Sequence, residues 1–152
     1  MNLEKRIVFT PNEDIYWDNW GRIVRVFRKG ITCEGVGYFD LNSKLQEVSA
    51  EPPHYKNVKD TVYEDEIEKW DFAPKTHHLK TELEFFEAIN AGIKSFAIRK
   101  NDREFLVGDF IVKEEWDSEN KGYTGRSKKG VIDYITDYGQ PNNQVVLGIT
   151  YF

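Results

Sequence analysis

The sequence predicts an α+β fold that is mostly β: a small β-barrel with one packed helix, preceded by a small N-terminal β-barrel-like unit. Three observations predict it. Short runs rich in β-branched and aromatic residues recur along the chain between Gly, Pro, Asn and Asp clusters. A single segment, residues 82–91, carries apolar residues at spacings of three and four. Strands with one helix, and no alternation of the two, indicate an α+β barrel and not a wound α/β sheet.

In the first half, Arg22–Lys29 and Val36–Leu41 flank Gly30-Ile-Thr-Cys-Glu-Gly35 and read as a β-hairpin. Arg6–Thr10 and Leu45–Val48 supply further short strands, and Glu51-Pro-Pro-His54 interrupts pairing because two successive residues lack a backbone donor. Ile67, Trp70 and Phe72 are expected to help close the unit. Asp14, Trp17, Asp18 and Trp20 form an aromatic-acidic patch, with the tryptophans expected in the cap of a small core.

A boundary is expected at Ala73-Pro74, dividing the chain into a β unit over 1–73 and a second domain over 74–152. The first segment carries 10 basic and 14 acidic side chains and the second 11 and 12, consistent with a net charge of −5. Units this small gain from packing on each other.

In the second half, Thr81-Glu-Leu-Glu84 has capping-box spacing, so a helix should start there and stop at Gly92 in a left-handed conformation. Leu83, Phe86 and Ile89 form its apolar stripe, with Phe85 beside them. Strands are expected at Ser95–Arg99, Asp109–Trp116, Tyr123–Ser127, Gly130–Thr136 and Gln144–Tyr151.

Composition narrows the function. At 152 residues, 39% hydrophobic and 31% charged, the chain is a folded protein with no collagen-like or low-complexity character. No apolar run approaches a membrane span, and Met1–Thr10 alternates charge with hydrophobe, so neither export nor a membrane partner is expected. Cys33 is the single cysteine, which fits a reducing cytoplasm and leaves no multi-cysteine zinc site. His77 and His78 would point to opposite faces of a strand, His54 stands among prolines, and no metal or other cofactor is expected. The negative charge excludes gripping long nucleic acid by bulk attraction, so any such role needs a local basic groove.

Residues 92–103, Gly-Ile-Lys-Ser-Phe-Ala-Ile-Arg-Lys-Asn-Asp-Arg, supply that groove. As a strand, Ser95–Arg99 sends Ser95, Ala97 and Arg99 to one face and Phe96 and Ile98 to the other. The glycine turn is expected to re-aim Lys94. Small neighbours leave room beside Arg99 for a planar ligand, which its guanidinium can stack on or pair with. The alternative is a solvated rim in which these cations pair with Glu87, Glu104 and Asp109. Tyr123, Arg126, Lys128 and Lys129 follow the loop 117–122, where Tyr123 and Arg126 could add outer contacts to a base; otherwise Tyr123 packs across strands and the lysines guard an edge.

Several strings recur in order: His78-Leu-Lys80, Phe85–Lys94, Phe96–Arg103, Phe105-Leu-Val-Gly-Asp109, Tyr123-Thr-Gly-Arg126 and Val145-Val-Leu-Gly-Ile149. Through them residues 77–150 resemble the ASCH-type branch of the PUA-like superfamily. More narrowly they are similar to a bacterial and phage group of uncharacterised proteins within it. The resemblance implies a small β-barrel with a helix laid against it, a cleft lined by the Gly-x-Lys-x-x-x-x-Arg segment, and RNA or a modified nucleoside as partner. Some members of the wider family hydrolyse the acetyl amide of 4-acetylcytidine with a lysine, a threonine and a glutamate. Lys94 matches the lysine, whereas Ala97 stands where the threonine, or the glutamate frequent in binding-type members, would be. No catalytic residue is therefore assigned. The segment Tyr63-Glu-Asp-Glu-Ile67 is similar to a Tyr-Glu-x-Asp-Ile-Val signature of a phage-associated β-barrel family; structurally it reads as an exposed turn into a strand or short helix, with Ile67 and Trp70 inward.

The expected ligand site comprises Lys94, Arg99, Asn101 and Arg103, with Tyr123 and Arg126 outside it. Lys94 and Arg103 would hold phosphate, Arg99 would stack on or fork to a base, and Asn101 would read a base edge. A different outcome is a protein-interaction module, with the acidic first half contacting a basic partner and the barrel as scaffold.

Overall fold

A computed structural model describes residues 3–152, with the backbone alone at Asn19. The first two residues of the expected segment 1–73 therefore lie outside the described residues. The fold is α+β and mostly β, and the chain divides into two compact units, Leu3–Pro74 and Lys75–Phe152.

The first unit contains β1 (Glu4–Pro11), β2 (Ile15–Asn19), β3 (Arg22–Phe27), β4 (Cys33–Phe39), β5 (Leu45–Ala50), β6 (Asp60–Tyr63), a short 3-10 turn at Glu64–Glu66, and β7 (Ile67–Phe72). Five of these strands form one antiparallel sheet in the order β6-β5-β4-β1-β7. Period-two alternation drives Ile7 and Phe9 of β1 inward onto Phe27, Leu45, Val48 and Val62.

The expected hairpin between Arg22–Lys29 and Val36–Leu41 does not form. Instead β3 pairs with β2, and β4 lies between β1 and β5. Residues 28–32 between β3 and β4 exceed a two-residue turn, whereas Trp20-Gly21 joins β2 to β3 with both residues at positive φ. That turn also corrects the placement of Trp20, which is fully exposed at the hairpin tip, while Trp17 packs against the core. Ile67 also packs inward, but Trp70 and Phe72 stay largely exposed, gathered around Phe39 at centroid distances of 5.3 and 5.7 Å.

The second unit contains β8 (Thr76–Glu82), α1 (Leu83–Asn90), β9 (Phe96–Lys100), β10 (Phe110–Asp117), β11 (Gly122–Thr136) and β12 (Gln144–Tyr151). The sheet order is β8-β10-β11-β12-β9, with β8 parallel to β10 and the other pairs antiparallel. The order places β8 and β9 at opposite edges, yet Arg103, just past β9, donates from Nη1 to the His78 carbonyl of β8 at 3.1 Å. The sheet is thus curled into a half-barrel whose two edges approach each other.

The strand β8 runs further than the His77-His78 pair indicated, to Glu82, where a helix start was expected. Its polar sequence hides an alternation in which His77, Leu79 and Thr81 are buried and His78, Lys80 and Glu82 exposed, so the two histidines do face opposite ways. The runs Tyr123–Ser127 and Gly130–Thr136 are one strand, with Gly125 at φ 94° absorbing an irregularity in its pairing with β10. The capping box also fails. The chain passes from β8 directly into α1, Glu82 occupies the N-cap without a side-chain cap, and the Thr81 hydroxyl donates to the Leu79 carbonyl at 3.1 Å. Gly92 ends the helix at φ 76°. From α1, Phe86 and Ile89 are buried, whereas Leu83 and Phe85 remain exposed. The inner face of the half-barrel carries Leu79, Ala97, Phe105, Ile111, Ile132 and Leu147.

Candidate functional site

One hollow of about 460 Å³ lies in the second unit, between the end of β8, the start of α1, β9 and β10. Because side chains alternate along a strand, Ala97 and Arg99 of β9 turn inward together, and Lys113 of β10 joins them in the lining. Ala97 is only 2 % exposed and has no side chain beyond Cβ, so it forms a shallow part of the floor.

Lys94 stands on the short link between α1 and β9. Its ammonium donates to the Phe96 carbonyl at 2.7 Å and lies 4.9 Å from the Phe96 ring centroid and 5.7 Å from that of Phe85. The turn at Gly92 thus brings it into the hollow, as its sequence position suggested, between two aromatic walls.

Burial lowers the pKa of each of the three cations, and neighbouring positive charge adds to it. Burial, then the Arg99 charge, lowers the Lys94 pKa. Burial lowers that of Arg99, with Arg103 adding to the effect and Asp102 opposing it. For Lys113, burial followed by the charges of Arg99 and Lys94 brings the amine down to about 7. A cavity collecting positive charge in this way favours an anionic guest.

Of the six expected site residues, Lys94 and Arg99 therefore meet in the hollow. Arg103 does not line it; its guanidinium spans the seam to His78 and its Nε contacts Asp102 at 3.2 Å. Asn101 is a loop residue, accepting from the Phe105 N–H through Oδ1 at 3.4 Å and donating its own N–H to the Asn143 carbonyl at 2.8 Å. Tyr123 lies edge-on to Trp116 at 4.9 Å, the cross-strand packing that the sequence left open.

Arg126 fastens the helix to the sheet. It donates to buried Glu115 through Nε at 3.0 Å and Nη2 at 2.7 Å, and Nη2 also contacts Glu87 of α1. Its guanidinium lies 5.0 Å from the Phe86 ring centroid. The Arg126 bonds, followed by one from the Thr124 hydroxyl, hold the Glu115 carboxyl below its ordinary value. The solvated-rim alternative is corrected in two places: Glu87 pairs with Arg126, and Asp109 is buried against His77 at 2.8 Å. Asp109 also accepts the N–H groups of Lys75 and Leu106.

Sequence reasoning missed Lys113. In Phe110–Asp117 charged residues fall on both faces, so simple alternation could not mark the inner one; its signal was the spacing of two from buried Ile111. Phe85 and Phe96 were visible, but as an apolar stripe and the opposite strand face. Among the described residues no group of three or more His, Cys, Asp or Glu is placed to hold a metal ion, and no helix is long and apolar enough to cross a membrane.

The second unit is a mostly β module with one helix and a cation-lined hollow. Residues 76–149 match a family model described as a domain of unknown function, DUF3850. No curated protein matches the chain.

Proposed function

We propose that this chain binds RNA or a nucleoside-like ligand through the cationic hollow of its second unit. The observation that carries this reading is the convergence of Lys94, Arg99 and Lys113 on one concavity. A volume near 460 Å³ suits a small-molecule guest, one nucleotide and not a length of strand. Phe85 and Phe96 line the same hollow and offer ring faces, and stacking on aromatic side chains contributes about 1–3 kcal/mol per base. The resemblance to the ASCH-type branch of the PUA-like superfamily points the same way, and with it a phage or mobile-element origin. A cytoplasmic setting fits such a ligand.

The hollow's own chemistry favours binding over amide hydrolysis. Ala97 offers no hydroxyl, and that of Thr81 is engaged with the Leu79 carbonyl. A protein-interaction role draws on the first unit, where the exposed Tyr16, Trp20 and Ile23 cluster on the β2–β3 hairpin.

Replacing Arg99 tests the main reading. Arg99→Ala should weaken binding of nucleotides or short single-stranded RNA by at least about tenfold, a loss of roughly 1.4 kcal/mol, while the circular dichroism spectrum stays unchanged. Unaltered affinity in a folded variant refutes the site. Recovery of a protein partner by a chain that binds neither RNA nor nucleotides would favour the interaction reading.

A further inference from the structure

The hollow contains a charge that the fold itself leaves unanswered. Asp109 and Glu115, the other buried charged side chains among the described residues, are each satisfied, by His77 with two backbone N–H groups and by Arg126 with Thr124. Lys113 is 3 % exposed and makes no hydrogen bond or ion pair among the described residues. Its ammonium reaches water only through the hollow, and such partial desolvation without a partner is unfavourable, the charges of Arg99 and Lys94 making it more so. Such a group either gives up its proton or meets an anion.

Resting on the nucleoside reading, we propose that the hollow accepts the terminal phosphate monoester of a single nucleotide, with Lys113 at its floor and Lys94 and Arg99 flanking. The monoester is the matching group because its charge approaches −2 and it presents three strong acceptor oxygens, one for each of the three cationic side chains. A chain-internal phosphodiester carries a single negative charge and would leave the cluster under-compensated. Phe85 and Phe96 then stand where the base would lie.

The charged surroundings of Lys113 fix the pH window. Lys94 and Arg99 come from the β9 side, Lys80 and Glu82 from the end of β8, and Lys128 of β11 is its direct cross-strand neighbour. Glu115, two residues along its own strand, is taken by Arg126, which also engages Glu87 of α1; His77 of β8 is paired with Asp109. The free amine loses its proton near pH 7. A phosphate monoester gains its second charge near pH 6, so affinity should peak between about 6 and 7 and fall by up to about tenfold per pH unit above that. Bound phosphate, by favouring the ammonium, raises the pKa of the complex and so sets the higher pH at which that fall levels off.

The test is calorimetric titration of the full chain at about pH 6.5 with the four ribonucleoside 5′-monophosphates, the matching nucleosides, inorganic phosphate, and a short RNA lacking terminal phosphates. At least one monophosphate should bind ten times or more tighter than its nucleoside. That advantage should vanish in Lys113→Gln and Lys113→Met, whose folding is checked by thermal unfolding, and should fade in the unaltered protein toward pH 9. Nucleosides, or RNA without end phosphates, binding as tightly as monophosphates overturn the phosphate assignment and leave the nucleoside reading standing. Inorganic phosphate binding as tightly as every monophosphate supports the anion site and overturns the nucleotide. Binding of none of these overturns both.

Discussion

Replacing Lys113 by Met should stabilise the unliganded protein, and by an amount that depends on pH in a defined direction. An ordinary lysine amine has a pKa of 10.5, and in this hollow it is brought down to about 7. That difference corresponds to about 5 kcal/mol of penalty on the charged form, at about 1.4 kcal/mol per factor of ten. Below pH 7 folded and unfolded chains both hold the proton, so the penalty is felt in full. Between about 7 and 10.5 the unfolded chain binds more protons than the folded one, so stability rises with pH until the penalty is gone. Methionine has nearly the same length and no charge to desolvate. Lys113→Met should therefore exceed the unaltered protein by several kcal/mol at about pH 6, with the gap closing toward pH 10. Urea unfolding read through the methyl signals of Ile111 and Leu147 reports on the second unit specifically, since both side chains are buried in its core. Equal stability at pH 6, or a gap that fails to narrow with pH, refutes the view of Lys113 as an unanswered buried charge.

Other expectations follow from separate parts of the fold. Ala97→Glu places a carboxylate in the floor of the hollow, and fluorescence titration should show nucleotide binding lost without loss of fold. Arg126→Met strips Glu115 of its main partner and frees Glu87; the midpoint of thermal unfolding should drop further than for Arg103→Ala, and the double change with Glu115→Gln should recover part of the loss. Because Glu115 is held below its ordinary carboxylate value, the stability it contributes is complete at neutral pH and disappears as acid protonates it in the fold; an acid-unfolding curve of Arg126→Met should lack that component. Gly130→Ala would set a Cβ 2.7 Å from Ile149 Cγ2 and 2.8 Å from the Thr150 carbonyl, so β11 and β12 must part and the unfolding midpoint should fall. In contrast, Cys33 should react slowly with alkylating reagents in the native protein, since burial raises its thiol pKa.

The mostly β architecture was legible because Phe110–Asp117 and Gln144–Tyr151 carry strand-forming residues between clear turn signals, and because Gly92 punctuates the chain after an apolar stripe. Strand partners were not legible. Nothing in Arg22–Phe27 states that its neighbour is Ile15–Asn19 and not Val36–Leu41, since pairing is decided by turn geometry and by which face the core claims. The sequence Thr-His-His-Leu-Lys-Thr-Glu concealed the extent of β8 because a parallel partner on one side and the interior on one face suffice to hold a polar strand. Within the hollow, proximity in sequence revealed Lys94 and Arg99, two residues on a single turn and strand. Lys113 comes from a strand three places away from β9 in the sheet order, and its role emerges only when β10 and β9 curl toward a shared interior. Arg103, Asn101 and Arg126 look alike as polar groups in a sequence, but their side chains meet partners from 1 to 39 residues distant.

A half-barrel that stops short of closure gives its hollow two strand margins as walls, β8 on one side and β9 on the other. Main-chain carbonyls and amides along those margins belong to the backbone, so mutation cannot remove them as it removes a side chain. Lys94 already leans on one such carbonyl, at Phe96. Sequence drift in this module can therefore retune which guest is preferred while the polar frame that receives it persists.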